Sequence, residues 1–276
     1  MTGVYSGALG TSASLAPIFS TVLVNKYQLD WEHSLIIWGI LVMVGMVIWF
    51  PQIFQQSRRA PLPQIEKQIS LWFSPLAWQV TLFMGFQSFI FFCMIAWLPE
   101  ILQNQGVELT TAAWLLTVFQ MSGIPFQFIT PILAGRLTNQ KIIALIIGIL
   151  NIMGILGLFL SNHPVFTYGC IIVIGISQGG ALSYALTLFG LRTTSESQAA
   201  VLSGMAQSVG YLLAALGPLT LGILYDQLHN WTLPFVILIT FSILMTIVGV
   251  AAGHDKVVSP LNRLERRNVV EKNLKG

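Results

Sequence analysis

Charge is what this sequence has least of. Charged residues make up 8% of the 276 positions, hydrophobic residues make up 55%, and the mean hydropathy is +0.76. A soluble domain of this length covers its surface with about 25% charged residues, so a soluble globular fold is excluded. Cysteine is nearly missing too: Cys93 and Cys170 both lie inside apolar runs and read as small core residues, with no disulfide framework and no CxxC pair. The four histidines, His33, His163, His229 and His254, fall at helix ends or in loops without metal-ligand spacing. HExxH and Gly-rich phosphate loops are absent, and no cofactor motif replaces them. Alternating segments of about 10 residues, the mark of a membrane β-barrel, are absent as well.

The residues present instead form long apolar runs separated by clustered charge. Eight runs approach the roughly 20 residues that cross a hydrocarbon layer as a helix, at about 3–24, 34–50, 78–99, 111–134, 142–161, 165–190, 199–224 and 232–252. The fold class is therefore all-α and polytopic. Lysine and arginine sort between the connections. Arg58, Arg59, Lys67, Arg136, Lys141, Arg192 and the tail residues Lys256, Arg263, Arg266, Arg267, Lys272 and Lys275 fall on one side, and Lys26 alone on the other. Twelve against one places the first side, and both termini, in the cytoplasm of a plasma or bacterial inner membrane. The net charge of +3 is thus a topology signal, and no nucleic-acid partner is implied. Trp31, Trp49, Trp72, Trp78, Trp97, Trp114 and Trp231 lie at span ends, as an interfacial belt requires.

The longest connection, 51–77, carries Pro51, Pro61, Pro63 and Pro75 and divides the chain into bundles. Within it LPQIEKQISLWF reads equally as a surface-lying amphipathic helix or as a solvated linker. The tail 253–276 is charged and cytoplasmic. A weak internal repeat sets the register of the rest. Gly10 and Trp31 recur as Gly210 and Trp231 at an offset of 200, and Pro17 falls within one residue of Pro218. The first two spans therefore correspond to the seventh and eighth, with a period of six helices. Residues 78–252 form one complete six-helix unit, and 1–50 read as the last two helices of an earlier one. Two parallel six-helix halves are the plan of major facilitator transporters, so the eight spans correspond to helices 5–12 of that twelve-helix fold. On that plan an N-terminal portion of four helices is missing.

The stretches GFQSFIFFCMIAWLPEIL, LAGRLTNQK, LSGMAQSVGYLLAALGPLTLGILYD and the opening MTGVYSGALG resemble the cyanate/2-nitroimidazole transporter family within the major facilitator superfamily. The resemblance covers essentially the whole chain. It implies a secondary active, proton-coupled transporter of a small polar or anionic solute, working by alternating access in the lipid bilayer. Asn139 in LAGRLTNQK stands where the superfamily's loop carries an acidic residue, so the charge relay usual to that loop is not implied here.

No ionisable residue sits mid-span. Glu100 and Asp226 lie near outer ends and Arg192 near an inner end, where anchoring or gating accounts for them. The mid-span polar residues are neutral: Gln87, Gln120, Asn151, Gln178, Tyr184, Gln207 and Tyr211. A carboxamide both donates and accepts, and so holds a small polar or anionic solute without a fixed charge. The resemblance makes the third and sixth spans cavity-lining, which ranks Gln87 and Gln178 first among binding candidates, ahead of Gln120, Gln207 and Tyr211. Phe91 and Trp97, with Phe86, supply apolar wall. The competing role for each polar residue is a hydrogen bond between helices. Gly175 and Gly179 share a helix face and read as close packing, while Gly210, Gly217 and Pro218 read as a packing and rocking surface. Gly135 and Arg136 fit a cytoplasmic gate loop, with a topology anchor as the alternative for Arg136.

Two functions remain open: a transporter, or a non-transporting membrane remnant or interaction partner. An enzyme would need clustered His, Asp or Glu within the spans, and none occurs. Sequencing upstream of the Met1 codon separates the two. An open frame encoding four further apolar spans is expected of the transporter, and a stop codon close upstream supports the remnant.

Overall fold

The computed structural model describes residues 30–54, 71–161 and 163–258, with single positions at Ala8, Thr11, Ser12, Phe19 and Leu23. The expected first span, most of LPQIEKQISLWF and the tail from 259 onward lie outside the described residues. The described chain is helical: α1 (Trp31–Phe54), α2 (Pro75–Asn104), α3 (Leu109–Arg136), α4 (Lys141–Leu160), α5 (Pro164–Leu191), α6 (Glu196–Leu228) and α7 (Thr232–Ala252). Helices α2 to α7 are each long and apolar enough to cross a membrane. The chain divides into two compact units, Thr11–Leu62 and Pro63–Gly276 with Met1–Gly10. In the smaller unit α1 carries a shorter apolar run, Leu35–Pro51, and exposes most of it.

Helix ends follow local chemistry. Ser74 caps α2 by accepting from the Ala77 N–H at 3.5 Å, and Pro75 occupies the first turn, where no N–H is needed. Ser195 caps α6, accepting from the Gln198 N–H at 3.2 Å. Several helices run past the breakers that bounded the expected spans: α2 continues through Pro99 to Asn104, and α6 continues to Leu228. Proline within a membrane helix is tolerated where neighbouring helices compensate the lost bond, so Pro99, Pro125, Pro131 and Pro218 interrupt nothing. The real stop after α2 is Gly106, whose φ of +85° suits glycine, with the Val107 N–H turning back to Leu102 O at 2.9 Å.

The six helices pack with internal symmetry. Helix α3 lies along α5 and α2 lies along α6; α4 packs on α5 and α7 packs on α2; α4 meets α7, and α2 meets α5. Exchanging α2–α3–α4 with α5–α6–α7 leaves these pairings unchanged, which is the pattern of two three-helix repeats. Two glycine seams hold the equivalent pairs. In the first, a methyl on Gly123 would lie 2.8 Å from Gly175 O, and one on Gly179 would overlap the Gly123 backbone. In the second, Gly85 faces Gly210, a methyl on Gly217 would lie 2.6 Å from Cys93 Sγ, and one on Gly222 would lie 2.7 Å from the Trp97 ring. Without hydrophobic drive inside lipid, such close approach is what dispersion and small residues supply.

The first seam tolerates no added carbon because its neighbours are main chain. Gly179→Ala is expected to destabilise the bundle by about 1–3 kcal/mol, the usual cost of overpacking, read as a fall in thermal midpoint in detergent. Gly135→Ala, with nothing within 4 Å of the new methyl, is expected to leave the midpoint unchanged.

Candidate functional site

A layer of neutral polar side chains crosses the middle of the six-helix unit. Gln87 lies twelve residues from the start of α2 and Gln178 thirteen from the end of α5, so at 1.5 Å per residue both sit ~18–20 Å from the same end of the bundle. They also converge sideways. Gln87 is one turn from Phe83, whose ring meets Tyr184 of α5 at 5.2 Å, and one turn from Phe91, whose ring meets Phe119 of α3 at 6.0 Å. Gln178 is three residues from Gly175, where a methyl would overlap Phe119 O and Ser122 Oγ. The Phe119 turn of α3 thus meets α2 one turn from Gln87 and α5 one turn from Gln178. The two helices carry matching text at this point: Gly85-Phe86-Gln87-Ser88 and Gly175-Ile176-Ser177-Gln178 each place a Gln–Ser pair just beyond a seam glycine.

Their bonding differs. Gln87 donates from Nε2 to Ser88 Oγ at 2.7 Å and to Met84 Sδ at 3.4 Å. Gln178 is 2% exposed, and neither its Oε1 nor its Nε2 has a hydrogen-bond partner. Asn151 on α4 is fully engaged: it donates to Ser177 Oγ at 3.2 Å and accepts from Ser242 Oγ at 2.8 Å, tying α4 to α5 and α7. Asn151 is therefore the interhelical bond that the alternative reading of these residues describes. Its serine partners carry no signal in the sequence beyond being polar within an apolar run.

The remaining candidates spread around this layer. Gln120 is half-buried on α3 beside Phe119. On α6, Gln207 donates to Ser203 Oγ at 2.7 Å, and Tyr211, 46% exposed, meets the Phe92 ring edge-on at 6.4 Å. Trp97 donates from Nε1 to Pro218 O at 2.9 Å, taking up a carbonyl near the proline and tying α2 to α6. Phe91 reaches α3, as above. Gly135 and Arg136 are exposed at the last turn of α3, away from the layer.

That end of the bundle holds a buried cation. Arg192, which caps α5 and is 1% exposed, donates from Nε to Ala252 O at 2.8 Å and from Nη2 to Gln140 Oε1. Its Nη1 lies 4.0 Å from the exposed Asp255 carboxylate. Burial lowers the Arg192 pKa from its ordinary value, and Asp255 opposes that shift. Gln140 in turn donates to Ala134 O at 3.1 Å, its main-chain N–H reaches Gly253 O at 3.0 Å, and the Tyr184 hydroxyl donates to Gln140 O at 3.3 Å and Gly249 O at 3.4 Å. The chain after α7 is bound as well: the Val258 N–H donates to Arg192 O at 2.7 Å, and its carbonyl accepts from Gln198 Nε2 at 2.9 Å. The α3–α4 loop, the end of α5 and the strand of chain after α7 thus form one latch. Sequence reading placed Arg192 at this end but had no signal for Gln140 as its partner.

Comparison with known proteins adds the lineage. The model of the Major Facilitator Superfamily matches residues 1–218. The chain is 39% identical over 258 residues to the uncharacterized transporter YycB of Bacillus subtilis, covering 94% of this chain and 64% of that protein. It is 34% identical over 261 residues to the 2-nitroimidazole transporter of Escherichia coli, covering 94% and 65% respectively. The cyanate transport protein CynX of Escherichia coli is 22% identical over 235 residues, 83% of this chain and 59% of that protein. The chain thus spans a little under two thirds of the length of these relatives.

Arg192→Leu strips Gln140 and Ala252 of a buried charged donor. It is expected to cost about 2–4 kcal/mol of stability, measured as a fall in thermal midpoint, and to speed proteolysis in the segment 253–258. A midpoint within 0.5 °C of the unaltered protein would remove Arg192 from the latch.

Proposed function

The chain belongs to the Major Facilitator Superfamily, and from that premise we propose that it works as a secondary active transporter of a small polar or anionic solute by alternating access. The observation that carries the proposal is the neutral polar layer buried at mid-depth on α2 and α5, the two helices that meet at the centre of a repeat-symmetric bundle. Polar groups at such depth are costly unless they serve packing or a solute. Asn151 serves packing; Gln87 and Gln178 face the helix contact beside Phe91 and Phe119, with a Gln–Ser pair from each repeat. A wall of that kind offers donors and acceptors set in apolar surface, the usual make-up of a small-molecule site.

The solute class comes from the relatives, whose names give 2-nitroimidazole and cyanate. In this reading the end carrying Arg136, Lys141 and Arg192 faces the cytoplasm of a bacterial inner membrane, as the lysine and arginine bias indicates. The latch at that end holds the six-helix unit closed while the opposite end opens. Its release lets the solute leave, and proton movement drives the cycle. The second wall of the solute path is supplied by helices of the other half.

Uptake tests this. The chain is joined behind the part of the Escherichia coli 2-nitroimidazole transporter that the match leaves uncovered, and whole cells take up labelled 2-nitroimidazole or cyanate. Gln87→Ala is expected to cut uptake roughly tenfold, the worth of one buried hydrogen bond, at an unchanged membrane level. Protein level falling in step with uptake would assign Gln87 to packing, and no uptake of either solute by the unaltered fusion would sink the transport reading.

A further inference from the structure

Among the described residues, Gln178 is the buried carboxamide with neither polar atom paired. It is 2% exposed, and both its polar atoms lack a partner. An amide buried this way costs about 1–3 kcal/mol for each unpaired group, and native structures keep few of them without a reason. Its neighbours show that the surroundings can satisfy polar groups. One residue before it, Ser177 donates to Ile147 O at 2.8 Å and accepts from Asn151; five residues after it, Ser183 bonds Gly179 O at 3.1 Å. In the matching repeat, Gln87 finds Ser88. The mirrored pair on α5 leaves Gln178 out, because Ser177 is turned to α4. Bulk cannot account for the arrangement either. Gly175 and Gly179 flank Gln178 and press on the α3 backbone, so in this closed arrangement it has no partner, and a solute reaches it only as the helices part.

We infer that Gln178 is the solute-recognising carboxamide of this bundle, and that it selects an uncharged solute presenting a hydrogen-bond donor beside an acceptor, over a bare anion. The inference rests on the transport reading above and narrows it. The reason is the pair of unmet atoms. A solute with both functions answers Nε2–H and Oε1 together. An anion that only accepts satisfies Nε2–H but sets its negative charge against Oε1 and leaves that oxygen unpaired. No cation offsets this: among the described residues, the interiors of α2 to α7 carry no Lys, Arg or His at this depth, and the buried guanidinium of Arg192 lies at the far end of α5. The Phe91 and Phe119 rings, 6.0 Å apart and tilted by 34°, supply apolar surface on α2 and α3.

Equilibrium binding to the purified fusion chain used for uptake, reconstituted in lipid nanodiscs, tests this with two probes. Radiolabelled 2-nitroimidazole, held below the pKa of its ring N–H, is the neutral donor–acceptor; radiolabelled cyanate is the acceptor-only anion. The unaltered chain is expected to bind the neutral probe at least tenfold more tightly than cyanate. Gln178→Leu is expected to weaken the neutral probe at least tenfold while raising the thermal midpoint, because an apolar side chain of similar size relieves the unpaired amide. A structural glutamine would instead lose stability on replacement. Should the leucine variant fail to fold, Gln178→Met makes the same comparison with a longer, more adaptable side chain. Tighter cyanate binding overturns the selectivity while leaving the transport reading intact. Unchanged binding of the neutral probe by the leucine variant overturns the assignment to Gln178. Binding of neither probe by the unaltered chain overturns the transport reading and this inference with it.

Discussion

The contact on which the six-helix unit depends is main chain against main chain. Where Gly123 meets Gly175 and Gly179, and where Gly85 meets Gly210, helices approach so closely that a methyl group has no room or almost none. In lipid there is little hydrophobic gain from bringing helices together, so contact area at short range has to supply the attraction. The seams have a second consequence. By fixing α3 on α5 and α6 on α2, they set the rotation of α2 and α5, the helices that bury Gln87 and Gln178. The glycines thus determine the polar layer without contributing a polar atom.

That layer divides into groups whose hydrogen bonds are complete and a group whose bonds are not. Asn151 spends both ends of its amide on serines of two other helices, and a residue so placed fixes helix register. Gln87 is held within its own helix by the local bond to Ser88. Gln178 has nothing. The same side-chain group therefore plays different parts at one depth, and the difference comes from whether a small hydroxyl lies within reach. A buried amide without partners is costly, and here it sits beside seam glycines packed against main chain.

Much of this was legible in the sequence, and the physical reasons are specific. Apolar length and the one-sided placement of lysine and arginine give the helices α2 to α7 and their alternation, because lipid punishes exceptions severely. The spacing of Gly175 and Gly179 gives a packing face, since residues four apart share one side of a helix. Helix ends were less legible. Pro99 and the region after 224 look like stops, yet α2 and α6 run on, because neighbouring helices make up a missing bond that no local rule can see. The candidate site was legible as a set of residue types and illegible as a set of roles. Nothing local separates Gln178 from Asn151; only the positions of Ser177 and Ser242 do. Trp97 likewise reads as interfacial wall, and its bond to Pro218 O depends on a residue more than a hundred positions away.

The latch at the basic end holds a buried arginine chiefly through neutral acceptors, with one carboxylate at the edge of contact. Arg192 is met by the carbonyl of Ala252 and the amide oxygen of Gln140, with Asp255 at 4.0 Å contributing at longer range from an exposed position. Main-chain carbonyls at the end of α7 carry the partial negative charge of a helix C-terminus, so they partly neutralise the guanidinium without an acidic side chain. In the α3–α4 loop, Asn139 turns to the start of α4, accepting from the Lys141 N–H at 3.1 Å. The task of joining that loop to the end of α5 passes instead to its neighbour Gln140, a neutral residue. Hydrogen bonds to neutral groups therefore join the loop, the end of α5 and the end of α7, and the segment 253–258 is pinned at Val258 from both sides.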